Sequence, residues 1–433
     1  MLVYKFGGAA VKDAKTIRLL LPLIAEQKDS PLLIVVSAMG KMTNAFERLL
    51  SAYRSNDKEK EAFFDSIKDY HYSILADLFE QNHPIFAKIE VCFSELENEL
   101  ENSAAQAYDF AYDQIVSFGE LLSSRILSDY LNENQLLNSW VDVSDLIITN
   151  DKYRDAHIDW ETTKAKVLHW MNRAFSQVNI VVTQGFIGGT KDGYRTTLGR
   201  EGSDFSAAIL ANCLNARQLT VWKDVPGILN ANPKEFPQAK NLKHLSYHET
   251  VELAFYGASV IHPRTLQPLK MKNIPLFIRS FLQPDLASII DNQNRFDSEI
   301  PTYILKENQI LFTISSRDFD FIDAEKLTAI LKLFSDFHFH IRLIQNSALN
   351  FSLVADENPL QLEELLFQLK TDYSVRYNRN LSMLSIRHSK DNRIAELFGN
   401  TEILLEMQSR ASQQFVMRSD VLQNKMAEIN RLV

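Results

Sequence analysis

A chain of 433 residues with 45% apolar content can bury a large core and is long enough for two or three domains. A formal net charge of −9 with no long basic run argues against nucleic acid and against a membrane surface as partners, leaving small-molecule chemistry as the better expectation. Two cysteines, Cys92 and Cys213, lie far apart in apolar helical surroundings and indicate neither a disulfide framework nor a zinc site. The longest apolar runs, "LLLPLIA" and "PLLIVVSAM", are too short to span a bilayer, and Lys5 with two glycines stands where a signal peptide needs its apolar stretch. A cytoplasmic enzyme is expected.

From the N-terminus, "LVYKF" reads as a short strand, "GGAAVKD" as a turn and "AKTIRLLLPLIAEQ" as an amphipathic helix. "PLLIVVSA" is a second, wholly apolar strand, followed by "MGKMTN" and the helix "AFERLLSAY". Residues from about 58 to 131 are mostly helical and suit a layer or lid over a sheet. The order of strand, loop and helix returns at "NIVVTQGFIGG" and "RQLTVWKDVPG", and apolar strands without alternation fit a parallel sheet buried on both faces. Twelve of the thirteen glycines lie at or before Gly257, so tight turns belong to this part of the chain. After "IPLFIRSF" and the polar "DNQNRFDSE" the character changes. "NQILFTISS" (strand), "DAEKLTAILKLFSDF" (helix) and "HIRLIQNSALNFSLVAD" (two strands about a turn) form one unit, echoed by "NLSMLSIRHS", "RIAELF" and "EILLEMQSRASQQFVMRSD". The parallel of "IRLIQNS" and "FSLVAD" with "ILLEMQS" and "FVMRSD" suggests an internal repeat of a small α+β module. The expected division is residues 1–297 and 298–433.

"KFGG", "SAMGK", "TQGFIGG" and "KDVPG" each follow a strand, and in a parallel sheet such loops gather at the carboxyl edge, where ligands bind. Their amides, with helix N-termini, suit an anion rich in phosphate. Any one loop is equally explained by the need for glycine between strand and helix; four together point to a site. The Walker pattern is absent, because "MGKMT" lacks the upstream glycine, so Lys41 is no P-loop lysine. Lys5, directly before a glycine turn, can reach phosphates that the turn cradles. In "TTLGREGSD", residues 196–204, helix capping accounts for Gly202 or Ser203 and for Asp204. Capping leaves Arg200 and the threonine pair unused, and Arg is the side chain best suited to grip a carboxylate. An anionic substrate at this helix N-terminus explains more of the cluster.

"KFGG", "VVSAMGKMTN", "SFGELLSSRIL", "VVTQGFIG", "TTLGREGSDFSAAILA", "VWKDVPGILNANPK" and "YGASVIHPRTLQP" resemble, in order, the motifs of aspartate kinases of the amino acid kinase family. The C-terminal repeat resembles that family's ACT regulatory domains, and the whole resembles the monofunctional kinase without a fused homoserine dehydrogenase. The resemblance implies an α/β fold, an open and mainly parallel sheet with helices on both faces, plus C-terminal α+β ACT-like domains. It implies transfer of the ATP γ-phosphate to the side-chain carboxylate of L-aspartate, with Mg²⁺ on the nucleotide, as the opening step towards lysine, threonine and methionine. Lys5, Phe6, Gly7 and Gly8 would line the phosphates. Thr43, Glu120, Arg200, Gly202 and Ser203 would hold aspartate, with Glu120 facing its ammonium and Arg200 a carboxylate. Lys223, Asp224, Leu229 and Lys234 would hold the nucleotide. A homodimer through the ACT-like region is the default.

The aspartate carboxylate, with a free pKa of about 3.9, is ionised at neutral pH and needs no base. Catalysis is then charge neutralisation and alignment, by Lys5, Mg²⁺ and glycine amides. Asp204 is expected to orient Lys5 or a metal-bound water. Four departures from the family's pattern bear on nucleotide and substrate: Ala9 and Ala10 in place of two hydroxyls, Glu201 in place of glycine, and Ser259 where a lysine is common. "SSRDFDFIDAEKL" has no glycine between the first ACT strand and its helix, so inhibition by lysine or threonine is expected to be weak or absent, although "IQNSALN" still offers polar side chains. Two alternatives remain open: a kinase of glutamate, acetylglutamate or a nucleotide, and a non-catalytic amino acid sensor on a degenerate kinase fold.

Overall fold

Short strands, the central ones rich in apolar residues, build the first sheet. The computed structural model describes residues 1–103, 105–258, 261–318, 320–389, 393–399 and 401–433; the expected departure at Ser259 lies outside them. Strands β1 (Leu2–Phe6), β2 (Leu32–Val36), β3 (Asn138–Trp140) and β4 (Ile180–Gln184) come first in the chain. A small antiparallel pair, β5 (Ile187–Gly189) and β6 (Arg195–Thr197), follows. Then come β7 (Gln218–Lys223), β8 (His244–Ser246), β9 (Leu276–Ser280) and β10 (Ala287–Asp291). The large sheet runs β3-β4-β2-β1-β7-β9-β10-β8, with every neighbouring pair parallel except β9 and β10. All five residues of β2 and of β4 are buried, as a strand covered by helices on both faces requires.

Local chemistry sets the helix starts. Asp13 caps the helix Ala14–Ala25 by accepting from Thr16 N at 2.7 Å, while Thr16 Oγ1 accepts from Asp13 N at 3.3 Å. The expected helical layer is present as Lys60–Leu78, Ile85–Ser103, Tyr108–Val116 and Phe118–Glu133. The helix Gly202–Cys213 is buried all round, which is why its sequence "FSAAILANC" shows no polar face.

A second compact unit comprises Asp297–Val433 together with two excursions, Leu229–Lys240 and Glu252–Ala258, so the units are not divided at a single point in the chain. Asn230 explains the first excursion: its Nδ2 donates to Pro301 O at 2.9 Å and its carbonyl accepts from Tyr303 N at 2.7 Å, while Phe236 packs on Tyr303. The strands β11 (Thr302–Ser316), β12 (Ile341–Asn346), β13 (Asn350–Asp356), β14 (Tyr373–Arg387), β15 (Leu405–Gln408) and β16 (Ser412–Arg418) form an antiparallel sheet in the order β12-β13-β11-β14-β16-β15.

That order is a repeat. Each half is a long central strand, a helix, a hairpin and a second helix: Ala324–Asp336 and Leu362–Asp372 in the first, Arg393–Phe398 and Ser419–Ile429 in the second. The second helices had no place in the sequence expectation. The first half of β14 was also missed, because "SVRYNRN" is polar and largely exposed. Ile310, Phe312 and Ile314 alternate into a core with Phe334, Phe351 and Leu365, the period of two expected for a sheet covered on one face.

Candidate active site

Register places the loops. Phe6 pairs with Val36 and with Trp222, and Val36 pairs with Gln184, so β1, β2, β4 and β7 end together and the turns after them meet at one edge. The turns are close-packed. A Cβ at Gly8 would stand 2.8 Å from the carbonyl oxygens of both Ala38 and Gly40, and one at Gly185 would stand 2.5 Å from the Cβ of Ser203. Glycine is required at both positions by this close approach.

Between these turns lies a cavity of about 550 Å³. Lys5, Gly8, Thr43 and Glu120 line it, together with Arg200, Gly202, Ser203 and Asp204 from the start of the helix Gly202–Cys213. The ammonium of Lys5 and the guanidinium-bearing Arg200 thus share one space, with Lys5 buried and Arg200 exposed.

Lys5 Nζ lies 2.6 Å from Asp204 Oδ1, and both side chains are less than a tenth exposed. Burial pushes the Asp204 carboxyl up, but the charges of Lys5 and then Lys223 outweigh it and hold the pKa below the ordinary carboxylate range. Glu120 has the opposite balance. Burial raises its pKa to about 8 against hydrogen bonds from the amides of Ala38 and of its own residue and the charge of Lys5. Its Oε2 is buried with no donor. An orphaned buried oxygen of this kind is costly, and a cationic ligand would satisfy it.

Other expected residues stand elsewhere. Phe6 is fully buried, its ring 6.3 Å from that of Trp222 in a stacked arrangement, so only its main chain is available to a ligand. Gly7 follows it in the turn. Lys223 ends β7, within electrostatic reach of Asp204, and Asp224 is exposed just after it. Leu229 and Lys234 belong to the second unit, where Lys234 is exposed.

Ala9 and Ala10 complete a single 3-10 turn with Gly8, and Ala10 is fully buried. Glu201 sits at φ +53°, in the left-handed region where glycine is at home, and its Oε2 accepts from His262 N at 2.8 Å. It also lines the cavity. Glu201→Gln keeps the shape and removes a negative charge, so KM for anionic substrates is expected to fall about two- to fivefold at low salt and less at high salt. Steady-state kinetics at two ionic strengths check this.

Among the cavity residues and supports not anticipated are Tyr112, Asp113 and Arg154. Tyr112 lines the cavity and donates to Glu47 Oε1 at 2.7 Å, and Arg154 lines it from a loop. The sequence offered only an acid, Asp113, seven positions before Glu120 in an apolar helical stretch; that it is buried is visible in the structure alone.

Residues 1–280 match the profile of the amino acid kinase family. The chain belongs to the amino acid kinase family. It is 29% identical to the lysine-sensitive aspartokinase 3 of Escherichia coli over 405 residues, covering 89% of this chain and 86% of that protein. It is 32% identical over 283 residues to a chloroplastic bifunctional aspartokinase/homoserine dehydrogenase of Zea mays, covering 64% of this chain but only 30% of the relative. The chain therefore spans about a third of the length of the bifunctional plant relatives it matches. Among solved structures, E. coli aspartokinase III in complex with aspartate and ADP matches at a TM-score of 0.80 and 25% identity, covering 98% of each chain. The same enzyme in complex with lysine and aspartate matches at 0.82 and 25%, covering 99% of each. The motif resemblance to aspartokinases is borne out, as is the fold of an amino acid kinase unit with a C-terminal antiparallel ACT-like sheet. No helix among the described residues is long and apolar enough to cross a membrane.

Proposed function

We propose that this protein is an ATP:L-aspartate 4-phosphotransferase. One observation supports it above others: a single cavity holds a buried Lys5–Asp204 pair, an orphaned Glu120 oxygen and the Arg200 loop at a helix N-terminus. These are complementary to an amino acid carrying one ammonium and two carboxylates. Glu120 takes the ammonium, Arg200 grips the carboxylate that does not react, and the other carboxylate is left as nucleophile. The amides of the Gly8 turn and Lys5 draw charge from the transferring phosphoryl group, whose approach to an anion is the main barrier. Asp204, 2.6 Å from Lys5 Nζ, aims that ammonium.

Mg²⁺ fits this donor set as a companion of the phosphates. One buried carboxylate beside a lysine suits a metal held chiefly by substrate oxygens, and the ion would supply further charge neutralisation when bound. Lys223, Asp224, Leu229 and Lys234 are proposed for the nucleotide. Among the described residues β12 and β15 are the edge strands of the ACT-like sheet, where a second copy could pair, so a homodimer through that sheet is proposed.

The test measures ADP release with ATP, Mg²⁺ and a panel of L-aspartate, glutamate, acetylglutamate and UMP, with hydroxylamine present to trap an acyl phosphate. ADP and a hydroxamate are expected with aspartate alone, with little inhibition by lysine or threonine. Absence of ADP with aspartate overturns the assignment. The rival kinases are excluded by the panel, and a sensor by turnover itself.

A further inference from the structure

Asp113 is fully buried on the helix Tyr108–Val116. Its Oδ1 accepts from Thr197 Oγ1 at 2.7 Å, its Oδ2 accepts from Thr197 N at 2.8 Å, and Arg154 N donates to both oxygens at 3.0–3.1 Å. Arg154 needs such a clamp: its φ is +66°, a conformation that costs a residue with a Cβ about 1 kcal/mol. Arg154 and Thr197 both line the substrate cavity, and Thr197 lies three residues before Arg200. The same two segments are joined again where Ala156 N donates to Thr197 O at 3.1 Å and where Arg264 bridges Asp155 Oδ1 at 2.7 Å and Leu198 O at 3.3 Å. The Arg154 guanidinium rests over the Tyr112 ring, 4.5 Å from its centre.

The geometry points to Asp113 as a positioning residue for the aspartate subsite: it holds the main chains of Arg154 and Thr197 together, and thereby sets a second guanidinium on the rim that carries Arg200. It touches no reacting atom. The inference rests on the aspartate kinase proposal and adds a device that fixes the shape of the amino acid end only.

A pH signature accompanies it. Burial raises the Asp113 carboxyl to about 6 against the hydrogen bonds from Thr197 and Arg154. The charged or titratable groups around it are Arg154, which favours the ionised form, and the hydroxyls of Tyr112 and Tyr153. Once protonated, the carboxyl cannot accept from all its donors, and the clamp loosens. Glu120, raised to about 8 by burial, is expected on the same proposal to give a first fall in kcat/KM for aspartate below that pH. The logarithmic slope is therefore about one between pH 8 and 6 and steepens below 6.

Asp113→Asn is expected to raise KM for aspartate about tenfold or more, with KM for ATP and kcat changed less than about threefold. The second break in the pH profile disappears, and exchange of the Arg154 and Thr197 amide hydrogens accelerates. Thr197→Val, which removes one donor, gives a smaller shift in the same direction. Wild-type kinetics in Asp113→Asn, or equal losses in kcat and both KM values, overturns the inference. If Asp113→Asn does not fold, exchange in the wild type decides: protection of the Arg154 amide that is the same at pH 5 and 7.5, after correction for intrinsic rates, overturns it. Exchange requires no turnover, so an inactive wild type would sink the kinase proposal while leaving the clamp testable.

Discussion

Glu120→Gln is expected to make the ligand-free protein more stable while removing the proposed use of aspartate. The folded pKa of about 8 exceeds the ordinary value of 4.5, so between these pH values the folded protein keeps a proton that the unfolded chain has lost. Stability conferred by this protonation is complete below about 4.5 and is lost as pH rises to 8, at up to about 1.4 kcal/mol per pH unit. Glutamine bears no such penalty. The gain of the variant should thus grow from pH 5 to 8, reach on the order of a few kcal/mol, and level off above 8. Denaturant unfolding of both proteins across that range measures it, and a gap independent of pH refutes the buried, protonated Glu120. The functional arm has the opposite sign. An ammonium needs the ionised form, so aspartate binding below pH 8 should release about one proton, detectable by calorimetry in buffers of different ionisation enthalpy. Losing the charge partner should weaken aspartate about a hundredfold or more.

Lys5→Met should cost both stability and turnover, and the two can be separated. Asp204 is buried, and its lowered pKa depends first on Lys5 among the favourable charges. Removing one partner of a buried pair costs about 3–5 kcal/mol, because the remaining charge is left unpaired. That loss should be largest at neutral pH and shrink as pH falls and the stranded carboxyl takes a proton. In Lys5→Met/Asp204→Asn no charge is stranded, so most of the stability should return. Turnover should not return: the ammonium proposed to meet the phosphoryl charge is gone, and about a thousandfold or more in kcat is at stake. Recovery of activity in the double variant would show that Lys5 serves the fold alone.

The parts of the site most legible from the chain were those built on local chemistry. A lysine before two glycines, glycine turns after apolar strands, and an arginine beside a helix start are rules of a few consecutive residues. The parallel register then had only to bring their loops to one edge. Glu120 was recognisable through its motif and by no property of its own, since an acid on a helix reads alike whether exposed or buried. Asp113 was passed over for the same reason, and Arg154 because its left-handed backbone has no glycine to announce it.

By itself the sequence determined the apolar strands, the capped helices, the repeated α+β module and the arginine beside a helix start, because each follows from neighbours within a turn or a strand. Only the tertiary structure decided that Glu120 holds its proton to about pH 8, that Asp113 ties two walls of the cavity, and that residues 229–240 join the second unit. Desolvation and clamping depend on atoms far apart in the chain, as between Asp113 and Thr197 or Asn230 and Pro301. No local pattern encodes that distance being closed.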